Sequence, residues 1–183
     1  MIYFTSDLHF YHEKIIMHCQ RPFKNAVMMN EVLIRNWNAI VRPEDSVYIL
    51  GDVTMKGAAY AFACLSQLTG KKYLIRGNHD EFVDSNEWQP YAWLFGWVKD
   101  YAEVTWGGER FVLCHYPFVE WNQMYKGAID LHGHQHNKPA YNRSQYELGI
   151  RRYDVGVDAN GFRPVSAKEI LANITDKIPT RGE

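Results

Sequence analysis

The chain has 183 residues, of which 46% are hydrophobic and 22% charged, and its formal net charge is -1. This length and composition are typical of one soluble globular domain, and no apolar run approaches the roughly 18 residues that span a membrane. The near-neutral balance excludes a global basic field for non-specific nucleic-acid binding, although local basic patches remain open.

Two features bear on the compartment. No basic region and no long apolar run precede Asp7, so we expect no cleavable signal at the start. Cys19, Cys64 and Cys114 are an odd number without C-x-x-C spacing, which favours free thiols in a reducing compartment over disulfides or a cysteine zinc site. We therefore expect a cytoplasmic protein in which Cys114 is a small core residue.

The first half of the chain alternates predicted strands and helices. Three short apolar runs predict strands, at 2–4, 47–50 and 73–75. Three segments with apolar residues at helical spacing predict helices, over 13–19, 28–41 and 58–68. Pro43 lies just past the second helix, and Gly70 closes the third. This β-α-β-α-β order is typical of a parallel sheet covered by helices.

The second half of the chain has a different sequence pattern. Aromatic residues concentrate at 88–97, which we interpret mainly as filling between sheet and helix. Segments 98–106 and 109–115 flank Gly107-Gly108, a pair suited to a two-residue hairpin turn, so antiparallel pairing is expected there.

The end of the chain carries two further predicted strands and a helix. The strands are at 129–132 and 153–157, separated by a polar segment that we expect to be a surface loop. Ser166 and Glu169 form an S-x-x-E capping box that opens the last helix. Only the tail, 177–183, is expected to fray, and the chain shows no linker or repeat.

Potential metal ligands follow five predicted strands at the point where each ends. They stand in D-L-H at 7–9, G-D at 51–52, G-N-H-D at 77–80, C-H at 114–115 and G-H-Q-H at 133–136. The ends of such strands converge in α/β sheets, and these oxygen and imidazole donors suit Mn, Fe, Zn or similar ions. A single histidine is more often structural, but the shared strand-end placement favours ligands. Asp7 with His9, and His134 with His136, have i, i+2 spacing, which in an extended chain would direct both side chains of a pair to one side.

The order of these motifs, from residue 7 to residue 136, resembles the calcineurin-like metallophosphoesterase superfamily, and every element is present. The resemblance implies an α/β fold, a four-layer sandwich of two mixed β-sheets flanked by helices, as a single domain over 1–183. It also implies that seven residues hold two metal ions. The first ion is held by Asp7, His9 and His136, the second by Asn78, His115 and His134, and Asp52 bridges both.

The same resemblance implies hydrolysis of a phosphoester. The cofactors would be two divalent transition-metal ions, with Mn first and Fe, Zn or Ni as alternatives, and a metal-bridging hydroxide would attack phosphorus. His79 would reach the substrate and protonate the leaving group, while Asp80 held its other ring nitrogen. Nucleotides are candidate substrates. Phosphomonoesterase or phosphodiesterase action, the native metal and the oligomeric state stay open.

Two rival functions stay open. One is a nuclease acting on polynucleotides, which a basic stripe leading to the site would favour. The other is a non-catalytic scaffold of the same fold that binds partner proteins, which missing ligands or a missing His79 would have indicated.

Several residues near the motifs have no assigned role. His12 is a candidate substrate contact, and His132 is either a supporting group or unused. Asp154 and Asp158 are expected to cap a turn, and three arginines are candidate phosphate contacts, at positions 21, 76 and 163. The aromatic segment 116–125 is either a wall of the cleft or a satellite core.

Overall fold

A computed structural model describes residues 1–175, and the predicted frayed tail at 177–183 lies outside them. The helices of the described part are α1 (Glu13–His18), α2 (Ala26–Asn38), α3 (Ala58–Leu65), α4 (Pro139–Glu147) and α5 (Ala167–Thr175). The strands are β1 (Ile2–Thr5), β2 (Ser46–Leu50), β3 (Lys71–Ile75), β4 (Phe95–Lys99), β5 (Ala102–Trp106), β6 (Glu109–Leu113), β7 (Ile129–His132), β8 (Arg152–Asp154) and β9 (Val165–Ser166). Short 3₁₀ segments lie at Glu81–Asp84, Gln89–Leu94 and Met124–Lys126.

The strands form two mixed sheets, which confirms the α/β sandwich expected from the resemblance. The first has the order β4-β3-β2-β1-β9, with β9 antiparallel to β1 and the other pairs parallel. The second has the order β5-β6-β7-β8, with only β5 and β6 antiparallel. A bridge between Ser6 and Gly156 joins the carboxyl ends of β1 and β8, so the parallel strands of both sheets end in one region.

Alternate residues of the strands enter different cores, because successive side chains of a strand point to opposite faces. One cluster packs the first sheet against α1, α2 and α3, with Trp37 at 1% exposure among its largest members. A second cluster fills the space between the sheets, where Phe4 of β1 meets Phe111 of β6 at a ring distance of 5.2 Å. The apolar residues Ile170 and Ile174 of α5 complete this second cluster.

The predicted strand at 98–106 is wrong as one element. Its first residues belong to β4, which pairs in parallel with β3, whereas β5 pairs with β6 in the other sheet. The chain bends at Asp100 between them, where it passes from the first sheet to the second. The predicted turn is confirmed, since Gly107 and Gly108 have φ of 61° and 84°.

The expected surface loop before β8 contains α4. Its sequence has no apolar stripe, and only Asn142 and Tyr146 of this helix are buried. It docks by hydrogen bonds instead: the Asn142 amide donates to the Asp154 carbonyl at 2.9 Å and accepts from the Asp154 N–H at 2.7 Å. Within residues 1–175, no helix is long and apolar enough to cross a bilayer.

The other local predictions hold with shifted ends. α2 begins after Asn25, whose side chain accepts the Met28 N–H at 2.9 Å, and α3 ends three residues earlier than expected. The capping box is confirmed, because Glu169 N–H donates to Ser166 Oγ at 3.2 Å and Ser166 N–H donates to Glu169 Oε2 at 2.9 Å.

The aromatic segment 88–97 divides. Trp88 is buried against Phe82 and Phe95, as expected of a filling between sheet and helix, and Tyr91 stacks on Phe62. Trp93 is 72% exposed, so the prediction is wrong for this side chain.

Candidate metal centre

The loops that follow the strands carry unusual backbone angles where the predicted ligands lie. Within residues 1–175 nine non-glycine residues have positive φ, and five of them are predicted ligands: Asp7 (57°), His9 (49°), Asp52 (57°), His134 (68°) and His136 (49°). The expected extended i, i+2 geometry is therefore wrong for these pairs. Left-handed turns after the strands direct the side chains, and such strained residues cluster at functional sites.

Two motif glycines allow this close packing. A Cβ built on Gly51, which has φ of +88°, would lie 2.5 Å from His115 Nδ1. A Cβ on Gly77 would lie 2.3 Å from Asp52 Oδ1. Both distances are impossible for real atoms, so the G-D and G-N-H-D motifs need glycine for the approach of three loops.

Asp52 lies at the centre of the cluster and is 2% exposed. Its Oδ2 is 3.4 Å from His9 Nε2 and 3.6 Å from His115 Nε2. Its Oδ1 accepts the His79 N–H at 3.0 Å, which ties the G-N-H-D loop to the carboxylate. One oxygen therefore faces imidazoles from two different motifs, which is the placement a bridging carboxylate requires.

On one side of Asp52, His115 and Asn78 bring two potential ligand atoms together, with the His134 ring close by. His115 Nδ1 donates to the Leu50 carbonyl at 2.7 Å, which directs the lone pair of Nε2 toward the centre. That Nε2 lies 3.0 Å from Asn78 Oδ1, so two potential metal ligands meet beside Asp52. The His134 ring lies 5.1 Å from the His115 ring, measured between centroids. A bound cation would satisfy this arrangement.

On the other side, Asp7 and His9 are fully buried beside His136. His136 Nε2 lies 3.9 Å from Asp7 Oδ1, and the His9 and His136 rings are 5.0 Å apart. His9 Nε2 is buried and has no hydrogen-bond partner among residues 1–175. Burial, reinforced by neighbouring cations, lowers the pKa of His9 strongly, so its ring is neutral with a free lone pair. Burial also raises the pKa of Asp7 to about 6.

An ion pair supports His136 from behind, and sequence reasoning missed it. Asp158 accepts from His136 Nδ1 at 3.0 Å and from Arg21 at 2.8 and 3.0 Å. Burial alone would lower the pKa of His136, but the hydrogen bonds to Asp158 and Cys19 and the charge of Asp7 together outweigh it and raise that pKa to about 10. The expectation that Asp158 caps a turn is thus wrong. Arg21 is buried and paired, so it is not a phosphate contact.

Cys19 also lies beside this ion pair. Ligand atoms of Cys19, His136 and Asp158 all lie within 4.8 Å of one another. All three cysteines are free thiols, as expected. No pattern in the sequence indicated that Cys19, at the end of α1, would reach the last histidine motif.

Asp80 does not hold the His79 ring as predicted. Its carboxylate is fully buried and accepts three backbone N–H groups, from Asp52, Val53 and Gly77, each at 2.8 Å. Burial raises the pKa of Asp80, and these hydrogen bonds partly offset the rise. Asp80 therefore positions the loops that carry Asp52 and Asn78, because both carboxylate oxygens are occupied by backbone.

His79 and His12 lie at the edge of the cluster. The His79 ring is half-buried, with its centroid 5.6 Å from that of His9, and it is less enclosed than the buried rings of His9 and His115. His12 Nδ1 lies 3.3 Å from His9 Nδ1. His12 thus contacts a predicted ligand directly, and burial lowers its pKa.

The remaining candidates fall outside the centre. His132 is buried, with Nδ1 2.9 Å from the Gly133 carbonyl and Nε2 3.3 Å from the Tyr141 hydroxyl, so it supports the fold. Asp154 accepts the Gly156 N–H at 2.7 Å and holds a turn, as expected. Arg76 forms an ion pair with Asp84, and Arg163 forms one with Glu169. Both guanidinium groups already have a carboxylate partner, which does not favour them as phosphate contacts.

The segment 116–125 serves both expected purposes. The Tyr116 ring lies 4.6 Å from that of His134, and its hydroxyl is 3.5 Å from Asn78 Oδ1, so it walls the centre. Trp121 packs instead in a satellite cluster with Val112 and is 8% exposed.

The donor set fits metal ions. Two groups of potential ligand atoms lie within 4.8 Å of one another, Asp7 with His9 and His136, and Asp7 with Asp52 and His115. Carboxylate and neutral imidazole donors suit divalent transition metals, and the unpaired His9 Nε2 is the buried atom that a metal would satisfy.

The family model for calcineurin-like phosphoesterases matches residues 1–158. The chain belongs to this family. It is 33% identical to an uncharacterized protein of Methanocaldococcus jannaschii over 96% of this chain and 92% of that one. The Gene 66 protein of Mycobacterium phage L5 is 30% identical over 92% and 91%. A solved structure of a protein of unknown function from Aquifex aeolicus has a TM-score of 0.72 at 28% identity, covering 94% of this chain and 98% of that chain. Membership in the calcineurin-like phosphoesterase family supports a phosphoester hydrolase.

Proposed function

We propose that this chain hydrolyses a phosphoester with two divalent metal ions. The observation that carries the proposal is Asp52 Oδ2, which faces His9 Nε2 at 3.4 Å and His115 Nε2 at 3.6 Å. Buried carboxylates are costly unless they are paired or bind metal. A carboxylate oxygen between two imidazoles of different motifs suits two adjacent cation positions better than one.

The proposed ligands divide as the resemblance implies. Asp7, His9 and His136 would hold one ion, Asn78, His115 and His134 the other, and Asp52 would bridge them. When bound, such ions lower the pKa of water and neutralise charge on the phosphoryl oxygens. Mn is the first candidate, with Fe, Zn or Ni as alternatives.

His79 is proposed as the acid that protonates the leaving oxygen. Its backbone N–H is fixed to Asp52 Oδ1, and its half-buried ring stands beside the proposed ligands without a fixed partner of its own. A ring in this position can reach a leaving group while Asp52 and Asn78 serve the metals. Asp80 contributes by positioning the loop, not by touching the substrate.

The scaffold alternative would be favoured by missing ligands or a missing His79, and the sequence retains all of these residues. The proposal is tested by removing metal with a chelator and assaying phosphomonoesters, phosphodiesters, cyclic nucleotides and single-stranded DNA with Mn, Zn, Ni and Mg. We expect hydrolysis of at least one ester and saturation near two ions per chain.

The matched variants are Asp52→Asn and Glu44→Gln, an exposed carboxylate between α2 and β2. The first should lose activity and weaken both ions together, whereas the second should behave as wild type. An active protein that saturates with one ion would contradict the two-metal proposal. Absence of any hydrolysis would contradict the proposal that the chain is a phosphoester hydrolase.

A further inference from the structure

A cavity of about 400 Å³ opens beside the candidate metal centre. Asn78 and His79 form its inner end, and the start of α3 and the 3₁₀ segment Glu81–Asp84 form its sides. Small-molecule sites typically occupy 300–1,000 Å³. Because His79 belongs to both the cavity and the metal centre, a leaving group cleaved at the centre would extend into this space.

The walls of the cavity combine an apolar surface with polar atoms. Phe82 and Met55 supply the apolar side, and Phe82 is held in place by an edge contact with Trp88 at 4.8 Å. Ser85 donates its hydroxyl proton to the Phe82 carbonyl and retains oxygen lone pairs for a ligand. This mixture suits a neutral group with a planar apolar face and hydroxyls.

The charges around the cavity disfavour a polyanion. Glu81 and Glu87 line it and are exposed, and neither pairs with a cation in the described part of the chain. Lys56 is the cation among its lining residues, and its ammonium lies 6.0 Å from the Tyr60 ring centroid. Away from His79, the lining thus carries two exposed carboxylates against one ammonium, which would repel the further phosphates of a nucleic-acid strand.

From this geometry we infer that the cavity is a leaving-group subsite for a neutral, nucleoside-sized alcohol. The substrate is then a monomeric nucleotide-type phosphoester, with its phosphoryl group at the metal centre and its nucleoside beside Phe82. This inference rests on the proposed function for the cleavage step, but binding of the free alcohol does not depend on hydrolysis. It also separates the chain from a polynucleotide nuclease.

Gly57 offers a way to fill the cavity without disturbing the backbone. It lines the cavity, has φ of -69°, and a Cβ built on it meets nothing within 4 Å. A Gly57→Leu side chain would therefore add apolar bulk to the cavity lining in an ordinary backbone conformation. Circular dichroism and thermal melting would verify that the fold is retained.

The experiment measures adenosine binding to the metal-free protein by calorimetry, and adenosine inhibition of whichever ester the wild type hydrolyses. We expect Gly57→Leu to weaken adenosine binding at least tenfold. The double charge reversal Glu81→Lys with Glu87→Lys should strengthen binding of octa-deoxyadenylate at least tenfold. The matched control is Glu44→Lys, at the opposite end of β2 from the centre, which should leave both affinities within twofold.

Each result supports or overturns the inference. Adenosine that does not bind at millimolar concentration, or that binds Gly57→Leu as well as wild type, would overturn the subsite. A wild type that binds octa-deoxyadenylate more tightly than adenosine would overturn the charge argument. Adenosine binding that Gly57→Leu abolishes, in a protein that cleaves no ester, would uphold the subsite and defeat the proposed hydrolysis. Ester cleavage without adenosine binding or inhibition would uphold the proposed hydrolysis and overturn the subsite.

Discussion

At the residue scale, the centre depends on side chains whose type was predictable and on backbone angles that were not. The motif letters identified Asp7, His9 and Asp52 as potential ligands, because only a few residue types bind metals. Their left-handed φ values follow from loop contacts, such as the Asp7 N–H to Gly51 carbonyl bond at 3.0 Å. Such contacts join residues distant in the chain, so no local pattern reveals them.

The first prediction concerns His79. Replacing it by Asn removes the proposed acid and should slow hydrolysis by roughly 10²- to 10⁴-fold, the usual contribution of general acid–base catalysis. The loss should be smaller for a nitrophenyl ester than for an alkyl ester. Nitrophenolate departs without a proton, whereas an unprotonated alkoxide is a strong base and a poor leaving group. Metal content, measured by mass spectrometry, should stay at the wild-type value.

Equal losses for both esters would show that His79 stabilises phosphoryl charge rather than donating a proton. Unchanged rates with intact metal content would remove His79 from the mechanism.

The second prediction concerns the support of His136. Asp158→Asn removes the charge that orients this ring, and loss of such a supporting partner typically lowers metal affinity by 10- to 100-fold. We expect that weakening for one of two ions, measured by metal titration well below the melting temperature. The change also leaves the buried Arg21 without its counter-charge, so the protein should melt earlier.

Asp130→Asn is the matched control for that stability loss. It breaks another buried pair, in which Arg152 Nε donates to Asp130 at 2.9 Å, but this pair touches none of the proposed ligands. Both variants should melt earlier, and only Asp158→Asn should bind metal more weakly. Equal metal affinities in the two variants would remove Asp158 from the site.

At the scale of elements, prediction succeeded where a local rule decides the outcome. Gly107-Gly108 made the hairpin turn, and Ser166 with Glu169 opened α5, because each depends on neighbours in the chain. It failed for α4, whose docking depends on Asn142 pairing with the backbone of β8. It also failed at the passage from β4 to β5, because the two halves of the predicted strand at 98–106 pair with strands of different sheets.

The third prediction tests the cap of α5. Ser166→Ala removes the hydroxyl that accepts the Glu169 N–H and donates to Glu169 Oε2 at 2.8 Å. Loss of such a cap costs about 1 kcal/mol of unfolding free energy. Chemical denaturation should show this loss, while Ser66→Ala, an exposed serine at the end of α3, should change stability by less than about 0.5 kcal/mol. Equal effects would mean that the capping hydroxyl contributes nothing.

At the scale of the whole molecule, the sandwich was predictable as a class because motif order and strand alternation agree. How the two sheets pack together was less predictable, because it depends on contacts such as Phe4 with Phe111, which join a strand of the first half of the chain to a strand of the second half. The centre lies where both sheets end, so its side chains join the two halves. Metal binding should therefore stabilise the whole fold and not only its loops.

The last prediction follows from that position. Asp7 is buried close to Asp52, and the nearby Asp154 contributes to the raised pKa of Asp7, so a bound cation would offset repulsion at Asp7. A ligand that binds only the folded state at about 100 times its Kd adds about 2.7 kcal/mol. For a domain of this size each kcal/mol raises Tm by about 2–4 °C. Saturating Mn should thus raise the Tm of chelator-treated protein by about 5–11 °C for each ion bound, and by roughly twice that for two ions, in calorimetry. Asp52→Asn should reduce the rise to a few degrees at most. A rise of the same size in Asp52→Asn, or none in the wild type, would show that the buried carboxylates do not hold the metal.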